Sequence, residues 1–325
     1  MSRALFMLSG ALILSACSSG GSNGGGGGAV VTPTPTPTPT PPATPTPTPS
    51  PAPTYATMAQ AMTADHVFLS ACTSSSGATG IHPATLPDNG LTFTHDATVD
   101  SWSIAGDGLA LVFGPAERDA TAPASVLAYA KTGTSGSDRL RIGVVGANGI
   151  ALDYVRRVTV NSVNAYPLAN YTCVIGVPTL VSDAPAGTNF SFQPGLLTAI
   201  GYRTPSNVST VTGSYDLSKS TVTLDVDLAN GTVRTVIHLI GAPLPSGSGA
   251  DVDFGTITGD ADIDPATGAY YGTTWTSPDA QPFFAQFGGR FYGPQGREAA
   301  YALTFLAHRP DGTDLLLSGT VFARR

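Results

Sequence analysis

Thr221-Val-Thr-Leu-Asp-Val-Asp-Leu228 is the stretch that decides the fold. Val222, Leu224, Val226 and Leu228 fall on one face, and Thr221, Thr223, Asp225 and Asp227 fall on the other. That is the period-two pattern of a strand with one buried and one wet side. Seven further candidates surround it: Val211–Leu217, Thr232–Ile240, Asp251–Ile263, Tyr270–Thr276, Phe283–Tyr292, Arg297–Ala307 and Leu315–Ala323. Phe283, Ala285, Phe287, Gly289 and Phe291 share a face, so the aromatic row Phe283/Phe287/Phe291 reads as core. In Asp251–Ile263 the apolar register slips across Gly255, which predicts a bulge. The joints carry turn chemistry, as in Ala229-Asn-Gly231, Asp264-Pro-Ala-Thr-Gly268 and Arg309-Pro-Asp-Gly312.

Eight antiparallel strands in a meander close into a small barrel, which removes exposed edges. At that size side chains fill the interior and no water-filled pore is expected. Asp225, Asp227, Arg234 and Asp251 would break the apolar band of a lipid-facing barrel. The reading is therefore all-β: an N-terminal β-rich, handle-like domain over residues 55–208, then an eight-stranded up-and-down β-barrel over 209–325. In the first part a weakly helical stretch (Tyr55–Met62) precedes strands at Leu91–Thr94, Leu109–Phe113, Val126–Lys131, Arg139–Val145, Asp153–Val160 and Tyr171–Val177. The loop Thr132–Asp138 reads as a hairpin.

Upstream of the folded part the composition changes twice. Met1–Ala16 has one early charge, Arg3, then an apolar run Ala4–Leu14, and ends in Leu14-Ser-Ala-Cys17. This is a secretory signal, residues 1–16, whose cleavage site ends in a cysteine. It resembles the lipobox of bacterial lipoproteins. The resemblance implies a thioether-linked diacylglycerol on Cys17, cleavage before it and acylation of the new amino terminus. Because Ser18, not Asp, follows the cysteine, it also implies transfer to the outer membrane. Two or more acyl chains anchor stably where one does not. Residues 17–54 form a linker, first rich in Gly and Ser, then in Thr-Pro repeats. Eleven of the 23 residues from Thr32 to Thr54 are proline. Polyproline II at about 3.1 Å per residue gives that part a reach on the order of 70 Å.

The formal net charge is −7 and charged residues are 11% of the chain, which argues against nucleic acid and anionic lipid headgroups as partners. Cys72 and Cys173 lie in the exported part. In an oxidising compartment they most simply pair, with two buried thiols as the alternative. Asp260, Asp262 and Asp264 imitate half an EF-hand loop. Pro265 and Tyr271 stand where that loop needs glycine and a bidentate glutamate. The five histidines, His66, His82, His95, His238 and His308, have no metal-ligand spacing, and no nucleophile motif is present. No enzymatic role, metal or cofactor is read from the chain.

Gly289-Arg-Phe-Tyr-Gly-Pro294, followed by Glu298 and the strand through Phe305, resembles a segment of the transferrin-binding protein B family of bacterial surface lipoproteins. Tyr202-Arg-Thr-Pro205 and Gly213-Ser-Tyr215 resemble that family's entry into its barrel. Ala299 and Ala300 stand where the family carries glycines. The resemblance implies a handle followed by an eight-stranded barrel. It also implies a solute- or protein-capturing role at the outer membrane, in iron acquisition beside a TonB-dependent receptor and with a surface-lipoprotein translocator. Physically, Gly289, Phe291, Tyr292, Gly293, Pro294 and Glu298 read as a structural corner, with Tyr292 placed to cap the barrel. Two roles follow. One is a lipoprotein that captures an iron carrier, haem or another ligand for a receptor. The other is an envelope lipoprotein acting in adhesion, shielding or structure. Ala242–Ala250, Ser277–Pro282 and Thr73–Asn89 are the loops to search for ligand contacts.

Overall fold

Two antiparallel β systems follow one another along the chain. The computed structural model describes residues 53–77, 80–147, 149–164, 169–185, 187–206, 210–246 and 249–325, within one compact unit, Pro51–Arg325. Cys17, the signal and most of the linker lie outside the described residues.

The first system opens with a single helical turn, Met58–Ala61, closed by a capping box between Thr57 and Gln60. Its strands are β1 (His66–Phe68), β2 (Ala71–Ser76), β3 (Gly80–Ile81), β4 (Thr92–Asp96), β5 (Ser101–Gly106) and β6 (Leu109–Phe113). They continue with β7 (Val126–Gly133), β8 (Gly136–Gly143), β9 (Gly146–Ala147), β10 (Ile150–Ala151), β11 (Val155–Asn161) and β12 (Asn170–Gly176). They form a four-stranded sheet β1-β4-β5-β6, a six-stranded sheet β3-β2-β12-β11-β8-β7 and the small ribbon β9-β10. Alternation sends Phe93, Trp102, Ile104 and Phe113 from the first sheet, and Leu140, Ile142, Val158 and Val160 from the second, into one core. The predicted hairpin is present, with Gly133 opposite Gly136. Cys72 and Cys173 are directly opposed across β2 and β12 and are joined as a disulfide.

The second system is a closed sheet of β13 (Asn189–Pro205), β14 (Gly213–Asp216), β15 (Thr221–Asp227), β16 (Thr232–Leu244), β17 (Val252–Ile263), β18 (Ala269–Thr276), β19 (Gln281–Tyr292), β20 (Glu298–His308) and β21 (Thr313–Arg324). Eight long strands make the ring, and pairing of β13 with β21 closes it. One stave differs from the expectation. Val211–Leu217 supplies only β14, a short strand that bridges β13 and β16 at one end of β15. The eighth stave is β13, so the barrel sheet begins at Asn189, not at 209. Pro194 and Gly195 are residue types common in turns, but the chain runs through them as a bulge. There the register on β15 shifts between Phe192 and Gly195, and a bulge is where a sheet tolerates proline. The first part of β13 lies along β15 and the second along β21.

The interior is filled by Val222, Leu224, Val226, Phe287, Tyr301, Phe305 and their neighbours. The expected bulge at Gly255 is present: Leu239 pairs with Gly255 while Ile240 pairs with Asp253, and Gly255 holds φ +85°. The row Phe283/Phe287/Phe291 is not continuous. A register shift between Pro282 and Phe284 turns Phe283 outward, and it is 50% exposed.

β20 is buried on both sides. Ala299, Tyr301, Leu303 and Phe305 face the barrel core. Ala300 and Ala302 face the six-stranded sheet, Ala302 against Ala71 and Ala84. Small side chains there let the two β systems approach closely, and a polar line accompanies them. Thr73 Oγ1 lies 2.9 Å from Thr304 Oγ1 and 2.8 Å from Ser318 Oγ, and Thr304 Oγ1 donates to His82 O at 2.9 Å.

Candidate ligand-capture surface

The family-like segment forms the joint between the two β systems. At Gly289 a Cβ would come 2.1 Å from Ala300 O, so β19 and β20 admit nothing larger. Phe291 points into the barrel and stacks on Phe192, with ring centroids 6.0 Å apart. Tyr292 points the other way. It does not cap the barrel, as expected from sequence, but enters the cluster with Val155, Val174, Ala300 and Phe322. Its ring occupies the space a side chain at Gly176 would need. Gly293 takes φ +71° with Tyr154 packed on its Cα, a conformation that favours glycine. Its N–H donates to Val177 O at 2.9 Å and its carbonyl accepts from Thr179 Oγ1 at 2.7 Å. Pro294 then opens a 3-10 turn to Gly296.

Glu298 completes the joint. It is 0% exposed, and its two oxygens accept from Asp153 N at 2.7 Å and Tyr154 N at 2.8 Å. Burial pushes its carboxyl above the usual carboxylate range, and these two N–H donors pull it partly back. Arg156, also buried, donates to Leu152 O and Val155 O and lends a nearby positive charge.

Of the three loops marked in the sequence, Thr73–Asn89 meets the barrel through Thr73, His82, Ala84 and Asp88. Asp88 pairs with Arg290 of β19 in a two-pronged contact, with Arg290 Nε donating to Oδ1 at 3.0 Å. Arg290 also donates to Thr267 O at 2.8 Å. No short-range pattern in the sequence linked Asp88 to Arg290, which lies about 200 positions away.

The described residues of the other two lie, by strand order, at the end of the barrel opposite Tyr292. The hairpin ends β16–β17, β18–β19 and β20–β21 gather there, and Phe283 stands at their base. Its ring stacks on His308 at 4.5 Å. His308 Nδ1 meets Asp314 at 2.7 Å. Arg309 lies over the Phe254 ring at 5.3 Å and donates to Phe254 O at 2.9 Å. Arg203 pairs with Asp311 at 2.7 Å, and Asp279 accepts from Thr256 N at 3.1 Å. The mouth is thus a rim of hydrogen bonds and one short ion pair around an exposed aromatic pair.

The remaining candidates are accounted for by local structure. Asp264 holds its own turn, accepting from Ala266 N and Thr267 Oγ1, which keeps its carboxyl low. Asp260 reaches Arg234 at 3.8 Å. The histidines are dispersed: His95 bonds Ala64 O, His238 meets Asp253, His82 meets Ser76 and His66 packs on Phe68.

No family model matches the chain, and no curated protein matches it. Among solved structures, a transferrin binding protein B mutant from Haemophilus parasuis matches over 79% of this chain and 45% of its own, with a TM-score of 0.41 and 14% identity. The isotype 1 transferrin binding protein B of Neisseria meningitidis matches over 79% of this chain and 44% of its own, with a TM-score of 0.39 and 15% identity. HpuA from Kingella denitrificans, solved in complex with human haemoglobin, matches over 80% of this chain and 90% of its own, with a TM-score of 0.34 and 14% identity. This chain spans less than half the length of the two transferrin binding proteins.

Proposed function

We propose that this chain is an outer-membrane lipoprotein, anchored through Cys17, that captures a solute or protein ligand at the barrel mouth. It hands that ligand to a partner receptor, and an iron carrier or haem is the first ligand to test. The observation that carries this reading is the polarity of the molecule along β19. Tyr292 and the joint stand at one end of the strand. Phe283, on the rim, stands at the other, about 30 Å away at 3.3 Å per residue. The barrel core is packed, so capture belongs to the rim and not to a lumen. The Thr-Pro linker suits a module that presents loops to a large or distant partner. Among the described residues no helix is long and apolar enough to cross a membrane, and the lipobox-like sequence supplies the anchor in this reading.

Binding of labelled haem and of ferric carriers to whole cells tests the proposal. Saturable binding that vanishes on deletion of the gene, and that weakens with Phe283→Ala, supports it. Binding unchanged by the deletion for every ligand overturns the iron version.

A further inference from the structure

In a chain with 15 lysines and arginines and a net charge of −7, most described cationic side chains are engaged by a carboxylate or a carbonyl. Among the described residues, Arg139, Arg141, Arg157 and Arg324 carry no hydrogen bond or ion pair. Arg324 ends β21. The other three line one cleft of about 590 Å³ between the six-stranded sheet and the barrel wall.

Their placement follows from register. Arg139 and Arg141 are two apart on β8 and therefore share a face, about 7 Å apart. Thr159 of β11 pairs with Arg141, and Asn161 pairs with Arg139. Arg157, two residues before Thr159, extends the same face diagonally. The outcome is a row of three guanidinium groups on the side of the sheet opposite its core residues Leu140, Ile142, Val158 and Val160.

The nearest acids attract them without forming an ion pair. Asp119 attracts Arg139 and Arg141 from a distance, but its carboxylate accepts from Thr121 N and Thr121 Oγ1 in its own loop. Asp216, across the cleft from Arg157, accepts from Ser218 N at 2.8 Å. Burial and the neighbouring Arg141 charge both work against the Arg157 cation, so an incoming anion would relieve a repulsion already present.

Beyond the arginines the same face continues in uncharged hydrogen-bonding groups. Asn170 and Thr172 of β12 and Ser75 of β2 lie along it, while Thr198, Tyr202 and Ser318 stand on the barrel side. The half-buried Tyr202 hydroxyl has no partner among the described residues. An isolated inorganic anion would use only the guanidinium row. A row of cations that passes into hydroxyl and amide groups, over strands about 4.8 Å apart, matches a ligand with acidic groups spaced among hydroxyls.

We propose that this cleft binds an acidic oligosaccharide, with Arg139, Arg141 and Arg157 taking its carboxylate or sulfate groups through the planar guanidinium fork. Leu244, on one of the mouth loops, touches the edge of the cleft, but Phe283 and His308 do not line it, so the proposal rests on its own observations and not on ligand capture at the barrel mouth.

The test is calorimetric titration of the full chain in detergent with three hexasaccharides: one sulfated and derived from heparin, one of hyaluronate carrying carboxylates only, and neutral maltohexaose. At least one acidic hexasaccharide binds, more weakly as salt is raised toward 0.15 M, and maltohexaose does not. The arm that binds more tightly separates sulfate from carboxylate. The double variant Arg139→Ser/Arg141→Ser and the single variant Arg157→Ser each weaken binding by about tenfold or more. Arg234→Ser, on the barrel and paired with Asp260, leaves it unchanged. All three variants alter exposed or half-exposed strand positions, and a thermal melt establishes that each is folded. The proposal is overturned by failure of both acidic hexasaccharides to bind at low salt, or by binding that folded cleft variants do not weaken. Inorganic tripolyphosphate binding as tightly as either hexasaccharide would also overturn it.

Discussion

At the scale of the residue, Glu298 shows how one buried carboxylate can join two β systems. Its partners are backbone N–H groups that have no other acceptor when the side chain is removed. Glu298→Ala is expected to cost about 1–3 kcal/mol of stability in urea unfolding. A pH series separates charge from shape. Because burial raises the folded carboxyl above its unfolded value, the native state binds more protons across that interval. The sign follows directly: wild-type stability relative to Glu298→Gln is highest at pH values below the unfolded carboxyl range and falls as pH rises through the raised native value. A relative stability that instead climbs with pH would show that the two N–H donors outweigh desolvation. The Cys72–Cys173 bridge encloses a sequence separation of 101. Replacing both cysteines with alanine is expected to cost about 2–5 kcal/mol, read as a lower melting temperature without loss of the β-sheet signal.

At the scale of the element, the alternation of Thr221–Leu228 was enough to place β15, and six other barrel strands were legible for the same reason. What escaped was non-local or masked by turn chemistry. β13 was hidden because Pro194-Gly195 signals a break, whereas the structure uses that pair as a bulge inside a continuous strand. Period two carried through Phe283 places it in the core, but a shift at Pro282 that only cross-strand pairing reveals turns it outward. The joint residues were legible as a corner, but the direction of Tyr292 depended on a handle surface that no local pattern describes. The arginine row became visible only once β8 and β11 were in register. Two aromatic truncations follow from this difference in environment. Phe287→Ala, in the barrel core at 0% exposure, is expected to cost about 3–5 kcal/mol, whereas Phe283→Ala is expected to change stability by under about 1 kcal/mol. On the outer face of β20, Ala302→Leu is expected to overpack the contact with Ala71 and Ala84 and cost about 1–3 kcal/mol. Chemical denaturation of the three variants side by side checks all of these.

At the scale of the whole molecule, the parts divide the work by position. The packed barrel core and the disulfide-bearing first β system are the two packed bodies, and β20 carries the contact between them. The rim at Phe283 and the arginine cleft are the surfaces proposed to bind. The lipid at Cys17 is proposed to hold this unit at the membrane. Labelled palmitate should enter the wild-type chain, and Cys17→Ser should abolish that incorporation and release the protein from the membrane fraction. Capture at the rim on behalf of uptake is tested by growth of a deletion strain supplied with one iron source at a time, haem and each ferric carrier in turn. Growth is expected to fail on one source, to return with the wild-type gene, and not to return with a folded Phe283→Ala/His308→Ala variant. Undiminished growth of the deletion strain on every source, or full rescue by that rim variant, would contradict it.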